Sequence, residues 1–286
     1  MCRMSFYAAR RGNSLQKNDI EHQFNHLREM ALGQNQTQYK FGQVTSSKKY
    51  NPAQTVYHGD GWGWTYGNTL EDNTAKYPLA VYNTSKEIVN PQLEKIEYSL
   101  MHARFSTQGN NTESNIQPTN LDNIVGMHNG TIKNISIHGK SDSRVILEMF
   151  DRYYQSHVLS DIESLEKMII DDIVNPSEGY GNLNIIMYHK DSGKIIVISS
   201  HNENTADLEK YEEYNTMTIS INDGQIRVAS EDSHEDPDFS RIETENHHVY
   251  IIDPETGEIE DINLNDLEEA VKEQSEEESD TSAEAA

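Results

Sequence analysis

Three stretches in the last third of the chain decide its fold class: NLNIIMYHKDSGKIIVISS at 182–200, TMTISINDGQIRVAS at 216–230 and VYIIDPETGEIEDI at 249–262. Each sets two runs rich in β-branched and aromatic residues around a polar, glycine-containing turn: Asp191-Ser192-Gly193, Asn222-Asp223-Gly224 and Asp253-Pro254-Glu255-Thr256-Gly257. Glycine supplies the backbone freedom that closes a tight hairpin, so each stretch is predicted to form two antiparallel strands. Three hairpins in a row imply antiparallel sheet rather than repeated strand–helix–strand units. Upstream, Met4, Phe6 and Ala8 alternate with Arg3, Ser5 and Tyr7, which predicts an opening strand. Ile20, Phe24, Leu27 and Met30 fall on one face of a predicted helix over 16–31. A second helix is expected after Ser141-Asp142-Ser143, with Val145, Ile146, Met149, Phe150 and Tyr153 as its apolar stripe, and a third over about 160–173. Further strands are expected at 79–82, 96–105 and 124–127. Residues 33–77 are polar and rich in Gly and Asn, and read as mostly loop. No linker or repeat divides the body, so the expectation is one α+β domain followed by a tail.

Charge narrows the function. The 286 residues carry 23 basic and 48 acidic side chains, a formal charge of −25. Such a chain repels phosphate backbones and anionic lipid, so neither nucleic acid nor a membrane surface is an expected partner. No apolar run approaches the roughly 20 residues of a membrane span, and the first residues lack the apolar core of a secretory signal. A cytoplasmic setting is expected. The single cysteine excludes an internal disulfide and any multi-cysteine metal site. The twelve histidines are scattered without paired-ligand spacing, so neither metal nor cofactor is expected. Nine acidic residues and one lysine fall within 266–286, and the segment 263–286 reads as a disordered, solvating tail.

Two glycine motifs lead nowhere. Gly139-Lys140-Ser141 ends like a phosphate-binding loop, but Asn134 stands where the earlier glycine is required. His58-Gly59-Asp60-Gly61-Trp62-Gly63-Trp64 has Tyr66 in place of the last glycine of a dinucleotide loop, and reads as a flexible aromatic loop.

The cysteine is different, because it is residue 2. Removal of Met1 would leave a thiol and a free α-amine on one residue, with ordinary pKa values near 8.5 and 8. The amine can then take the thiol proton, combining nucleophile and base. Arg104, between a predicted strand and the Gly109 turn, can grip a carboxylate with two hydrogen bonds. Asn129 and Gly130 offer an amide N–H and a backbone N–H for an oxyanion. Asp142 can pair with an ammonium group or serve only the start of a helix. Together these describe a site for a free amino acid with a cleavable side-chain acyl group, and glutamine fits.

The order of these motifs resembles the class II glutamine amidotransferases, which are N-terminal-nucleophile (Ntn) hydrolases. The likeness rests on Cys2, the 58–63 loop, His102-Ala103-Arg104-Phe105-Ser106-Thr107-Gln108-Gly109, His128-Asn129-Gly130-Thr131 and Ser141-Asp142-Ser143. Val228-Ala229-Ser230-Glu231 and the 250–259 stretch resemble the closing strands. The resemblance implies a four-layer αββα sandwich of two antiparallel sheets over residues 2–262. It also implies hydrolysis of glutamine to glutamate and ammonia through a thioester at Cys2. Asn129 and Gly130 would form the oxyanion hole, Arg104 would bind the α-carboxylate, Asp142 the α-ammonium, and Thr107 would help position the substrate. The family usually has an acidic residue two positions after the aspartate, where this chain has Arg144. The sequence after residue 262 reads only as acidic tail, so an ammonia-accepting synthase is expected to be a separate partner. Two alternatives stay open: an N-terminal-cysteine amidase for another amide, and a non-catalytic binding or regulatory protein that keeps the fold.

Overall fold

The computed structural model describes residues 2–32, 58–85, 93–105, 112–132, 139–156, 180–201, 215–231 and 237–265, together with Val89, Ile135 and Ile137. Thirteen strands and two α-helices are defined among them. They are β1 (Arg3–Ala9), α1 (Lys17–Leu32), β2 (Trp62–Gly67), β3 (Asp72–Tyr77), β4 (Tyr98–Ala103), β5 (Thr119–Asn120), β6 (Ile124–Ile132) and α2 (Asp142–Ser156). The last third supplies β7 (Tyr180–His189), β8 (Ile195–Ser199), β9 (Thr218–Ile221), β10 (Gln225–Ala229), β11 (Ser240–Glu243), β12 (His248–Ile252) and β13 (Ile259–Asn263).

The strands form two sheets. One has seven strands in the order β11-β9-β10-β1-β4-β2-β3, the other six in the order β13-β12-β8-β7-β6-β5. Every pairing is antiparallel. The three predicted hairpins are the pairs β7–β8, β9–β10 and β12–β13.

Three apolar layers follow from the period-2 alternation of strands. Met4, Phe6 and Ala8 of β1 point between the sheets, where they meet Val125, Met127, Ile186 and Val197 of the other sheet. On the outer face of the seven-stranded sheet, Ile20, Phe24, Leu27 and Met30 of α1 pack on Tyr7, Trp62, Trp64 and Met101. On the outer face of the six-stranded sheet, Ile146, Leu147 and Phe150 of α2 pack on Ile124, Ile185, Ile196 and Val249. This is the expected αββα sandwich. Both faces of each central strand are covered, which is why the run Ile195–Ile198 in β8 is apolar at every position. Full burial of a large aliphatic or aromatic side chain is worth roughly 1.5–3 kcal/mol, so the apolar faces and not helix propensity hold α1 and α2.

Both helices start on side-chain caps. The Gln16 backbone N–H donates to Asp19 Oδ2 at 2.7 Å, and Arg144 N–H donates to Ser141 Oγ at 3.3 Å.

Several expectations are corrected. The 62–67 segment is the buried strand β2, between β4 and β3, and not a flexible loop, and 72–77 forms β3 within the stretch read as loop. The strand expected at 79–82 is replaced by a 3-10 turn at Val81–Asn83, following Pro78 and the half-exposed Leu79. The exposed edge strand β11 was not expected. The third predicted helix and the acidic tail beyond residue 265 lie outside the described residues.

Candidate active site

Strand β1 brings Cys2 to one end of the gap between the sheets, and β6 of the opposite sheet brings Asn129 to meet it. The Cys2 backbone nitrogen donates to Asn129 Oδ1 at 2.6 Å, across 127 residues of sequence. Because the amide oxygen accepts this bond, the amide N–H₂ of Asn129 is turned toward the remaining space as a donor.

The start of β1 is tied on its other side by β10. Met4 N–H donates to Ser230 Oγ and Ser230 N–H donates to Met4 O, both at 3.0 Å. Arg3, fully buried, pairs with Glu231 at 2.5 Å. The 228–231 stretch, read in the sequence only as closing strand, thus clamps the residues next to Cys2.

The thiol lies against the backbone of Phe105, whose N–H approaches Sγ at 3.5 Å and whose carbonyl lies 3.7 Å away. Burial pushes the Cys2 thiol pKa up, opposed by nearby positive charge that includes Arg104 and reinforced by Asp142. The thiol is protonated at neutral pH and needs a base to become a nucleophile.

Arg104 is fixed by the 58–63 loop. Its N–H donates to Gly61 O at 2.8 Å, and Asp60 N–H donates to its carbonyl at 3.1 Å. Gly61 has φ of 125°, a conformation L side chains rarely adopt, and an added Cβ would lie 2.9 Å from Ile116. That glycine holds the loop against the arginine's backbone.

Asp142 opens α2, with Ser141 rather than Asp142 capping the helix. The Asp142 carboxylate accepts from Ile132 N–H at 3.0 Å and from Ser143 N–H at 2.9 Å. It is 6% exposed, so it is held in place by backbone donors while retaining lone pairs for a cationic group. Arg144, the departure from the family pattern, turns away: its Nε donates to Glu148 at 2.9 Å and its NH1 to Ser114 O at 3.3 Å.

Gly130 has a packing reason of its own. A Cβ there would run into the Asn182 carbonyl and lie 2.6 Å from the His128 ring. Thr107, predicted to help position substrate, lies outside the described residues, as does Met1.

Two comparisons return nothing: no protein-family model matches the sequence, and no curated protein matches it. Solved structures do match. Glutamine phosphoribosylpyrophosphate amidotransferase from B. subtilis superposes with a TM-score of 0.54 at 14% identity, over 92% of this chain and 49% of that one. A structure described as the allosteric regulatory enzyme of purine biosynthesis gives 0.52 at 15% identity, over 92% of this chain and 49% of its own. The chain shares the fold of these two structures. It spans about half the length of each of these two proteins.

Within that fold, several supports of the site went unread in the sequence. Gln117 brackets the backbone of His128, accepting from its N–H at 2.6 Å and donating to its carbonyl at 3.0 Å. Ser143 Oγ meets His128 Nδ1 at 2.9 Å, linking α2 to β6. Asn115 Oδ1 accepts from Ser141 N–H at 3.0 Å and sets the start of α2. Each is an isolated polar residue in a loop or at an element end, and no spacing rule marks it. Among the described residues, no group of three or more His, Cys, Asp or Glu is arranged to hold a metal ion, and no helix is long and apolar enough to cross a membrane.

Proposed function

We propose that this chain is a class II glutamine amidotransferase domain that hydrolyses glutamine to glutamate and ammonia. The observation that carries the reading is the 2.6 Å bond between the Cys2 nitrogen and Asn129 Oδ1, with the N–H of Phe105, the residue after Arg104, 3.5 Å from the sulfur. It joins a nucleophile, a nitrogen positioned beside it and an oxyanion donor at one end of the sandwich.

Once Met1 is removed, the Cys2 nitrogen becomes an amine. One of its N–H bonds keeps the contact to Asn129, and its lone pair takes the thiol proton. The thiolate attacks the side-chain carboxamide carbon of glutamine. Negative charge gathers on the amide oxygen, where Asn129 Nδ2–H and Gly130 N–H donate to it. The Cys2 ammonium returns its proton to the leaving nitrogen, and ammonia departs as the thioester forms. Water, deprotonated by the same amine, hydrolyses the thioester and releases glutamate. Arg104 binds the α-carboxylate and Asp142 the α-ammonium, which selects a free amino acid over a protein-bound glutamine. The ammonia is passed on to an acceptor enzyme.

The test is trapping with 6-diazo-5-oxo-L-norleucine, an electrophilic glutamine mimic. Protein lacking Met1 should gain one adduct mapping to Cys2, and glutamine should protect it. Protein with an uncleavable N-terminal extension should neither react nor release ammonia. Full glutaminase activity with the extension intact would overturn the mechanism, and no adduct on the processed protein would leave a binding role for the fold.

A further inference from the structure

A cavity of about 230 Å³ opens at the far end of the sandwich, lined by Ala8, Glu97, Tyr188, Asp191, Asp253 and Glu255 among others. Cys2 precedes β1 and Ala8 lies near its other end, so the seven-residue strand separates the two places by roughly 20 Å. None of the residues lining the cavity is basic.

Its wall has two unsatisfied features. The first is Tyr188, which is 3% exposed, stacked on Tyr98 with ring centroids 4.1 Å apart, and fixed on its other flank by Phe6. Its hydroxyl has no hydrogen-bond partner among the described residues and lies within 3.6 Å of where a side chain on Gly193, another lining residue, would begin. A hydroxyl on an otherwise enclosed ring is thus presented to the cavity, where only a ligand or water can satisfy it. The second is charge. Asp191 and Glu255 make no side-chain hydrogen bond or ion pair among the described residues. Asp253 spends one oxygen on the N–H groups of Glu255 and Thr256, and Glu97 meets Lys95 at 2.7 Å.

The carboxylates repel an anion. No three of them converge closely enough to hold a metal ion. Spread around a cavity with a buried tyrosine in its wall, they suit a cation whose charges are also spread. We propose that this cavity binds a small organic diammonium ion, its nitrogens shared between the Tyr188 hydroxyl and the carboxylates of Asp253 and Glu255. The site is independent of the chemistry at Cys2.

The experiment is calorimetric titration of the full chain with 1,4-diaminobutane at fixed ionic strength, with 1,4-butanediol and magnesium chloride as comparisons. One saturable site is expected for the diamine and none for the diol. Tyr188→Phe keeps the stacked ring and removes the hydroxyl, and should weaken binding roughly fivefold or more; Glu255→Gln should do the same. Glu243→Gln, on the distant edge strand, should leave affinity unchanged. Absence of saturable binding would overturn the proposal. So would equal weakening by all three variants, which would mark general attraction to an acidic protein. Tighter binding of magnesium at the same site would replace the organic cation with a metal.

Discussion

Asn129 would do two jobs in the proposed reaction. Its oxygen accepts from the Cys2 nitrogen, and its N–H₂ would donate where charge develops. Loss of one oxyanion donor typically lowers kcat by about 10²–10³. Asn129→Ala should therefore cut turnover of glutamine far more than it raises KM, and steady-state kinetics will separate the two. A change in KM alone would reassign Asn129 to ground-state binding. Arg104 belongs to the other class. A charge-assisted hydrogen bond to a carboxylate is worth about 1.5–3 kcal/mol, so Arg104→Ala should lower kcat/KM by roughly 10- to 150-fold. The same variant should leave the small activity on glutamine α-amide derivatives, which lack the carboxylate, nearly unchanged. Survival of glutamine hydrolysis within a few-fold of the parent would remove the clamp.

At the scale of elements, the site depends on how β6 lies against β7 and how β10 grips β1. The β6–β7 register is regular from Ile124 to Thr131 and shifts only at Ile132, just past Asn129 and Gly130. Gly130 permits this approach, since any side chain there meets the Asn182 carbonyl of β7. Gly130→Ala should force the strands apart at a cost of about 1–3 kcal/mol, which for a domain of this size is a fall in Tm of a few degrees. Because the displacement falls beside Asn129, glutaminase activity should fall by more than the stability loss explains. Thermal melts and assays on the same preparation check this, and an unchanged Tm would show that β7 yields easily.

The whole molecule should be sensitive to acid for a reason beyond its carboxylates. His102 is buried on β4 with both ring nitrogens lacking hydrogen-bond partners among the described residues. Burial first, and then the neighbouring Arg104, His128 and Lys76, push its pKa down to about 3. Burial also pulls His128 below its ordinary value, against the pull of Asp142. An unfolded chain takes up these protons near pH 6.5, whereas folded His102 does not until about pH 3. Stability should thus be unaffected by His102 above pH 6.5 and fall between 6.5 and 3, by up to about 1.4 kcal/mol per pH unit. Urea unfolding at pH 7, 5.5 and 4 should show a shallower loss for His102→Met than for the parent. Parallel losses would assign the acid sensitivity to carboxylates alone.

Much of this architecture was legible in the sequence because local patterning and tertiary role agree. The three hairpins carry their turn chemistry within a few residues, and the stripes of α1 and α2 repeat at helical spacing, so an antiparallel α+β class could be read from the residues, while the αββα layering came from the family resemblance. Cys2, Arg104, Asn129 and Asp142 stood out because each is a chemically distinctive residue at or just beyond the end of an element as the sequence pattern draws it. Strand β2 was missed for the opposite reason. Gly63 reads locally as a loop residue, yet it lies in a strand where a Cβ would sit 2.6 Å from the Gln117 carbonyl. The polar edge strands β3 and β11 bury too little on either face to show alternation. The composition and local order of residues determined the antiparallel α+β class and the kinds of groups available for chemistry. Tertiary structure alone decided that Cys2 meets Asn129, that Ser230 and Glu231 clamp the residues next to Cys2, and that Tyr188 faces an acidic cavity. Those contacts join residues tens to hundreds of positions apart, and the pairing of whole sheets, not any local pattern, brings them together.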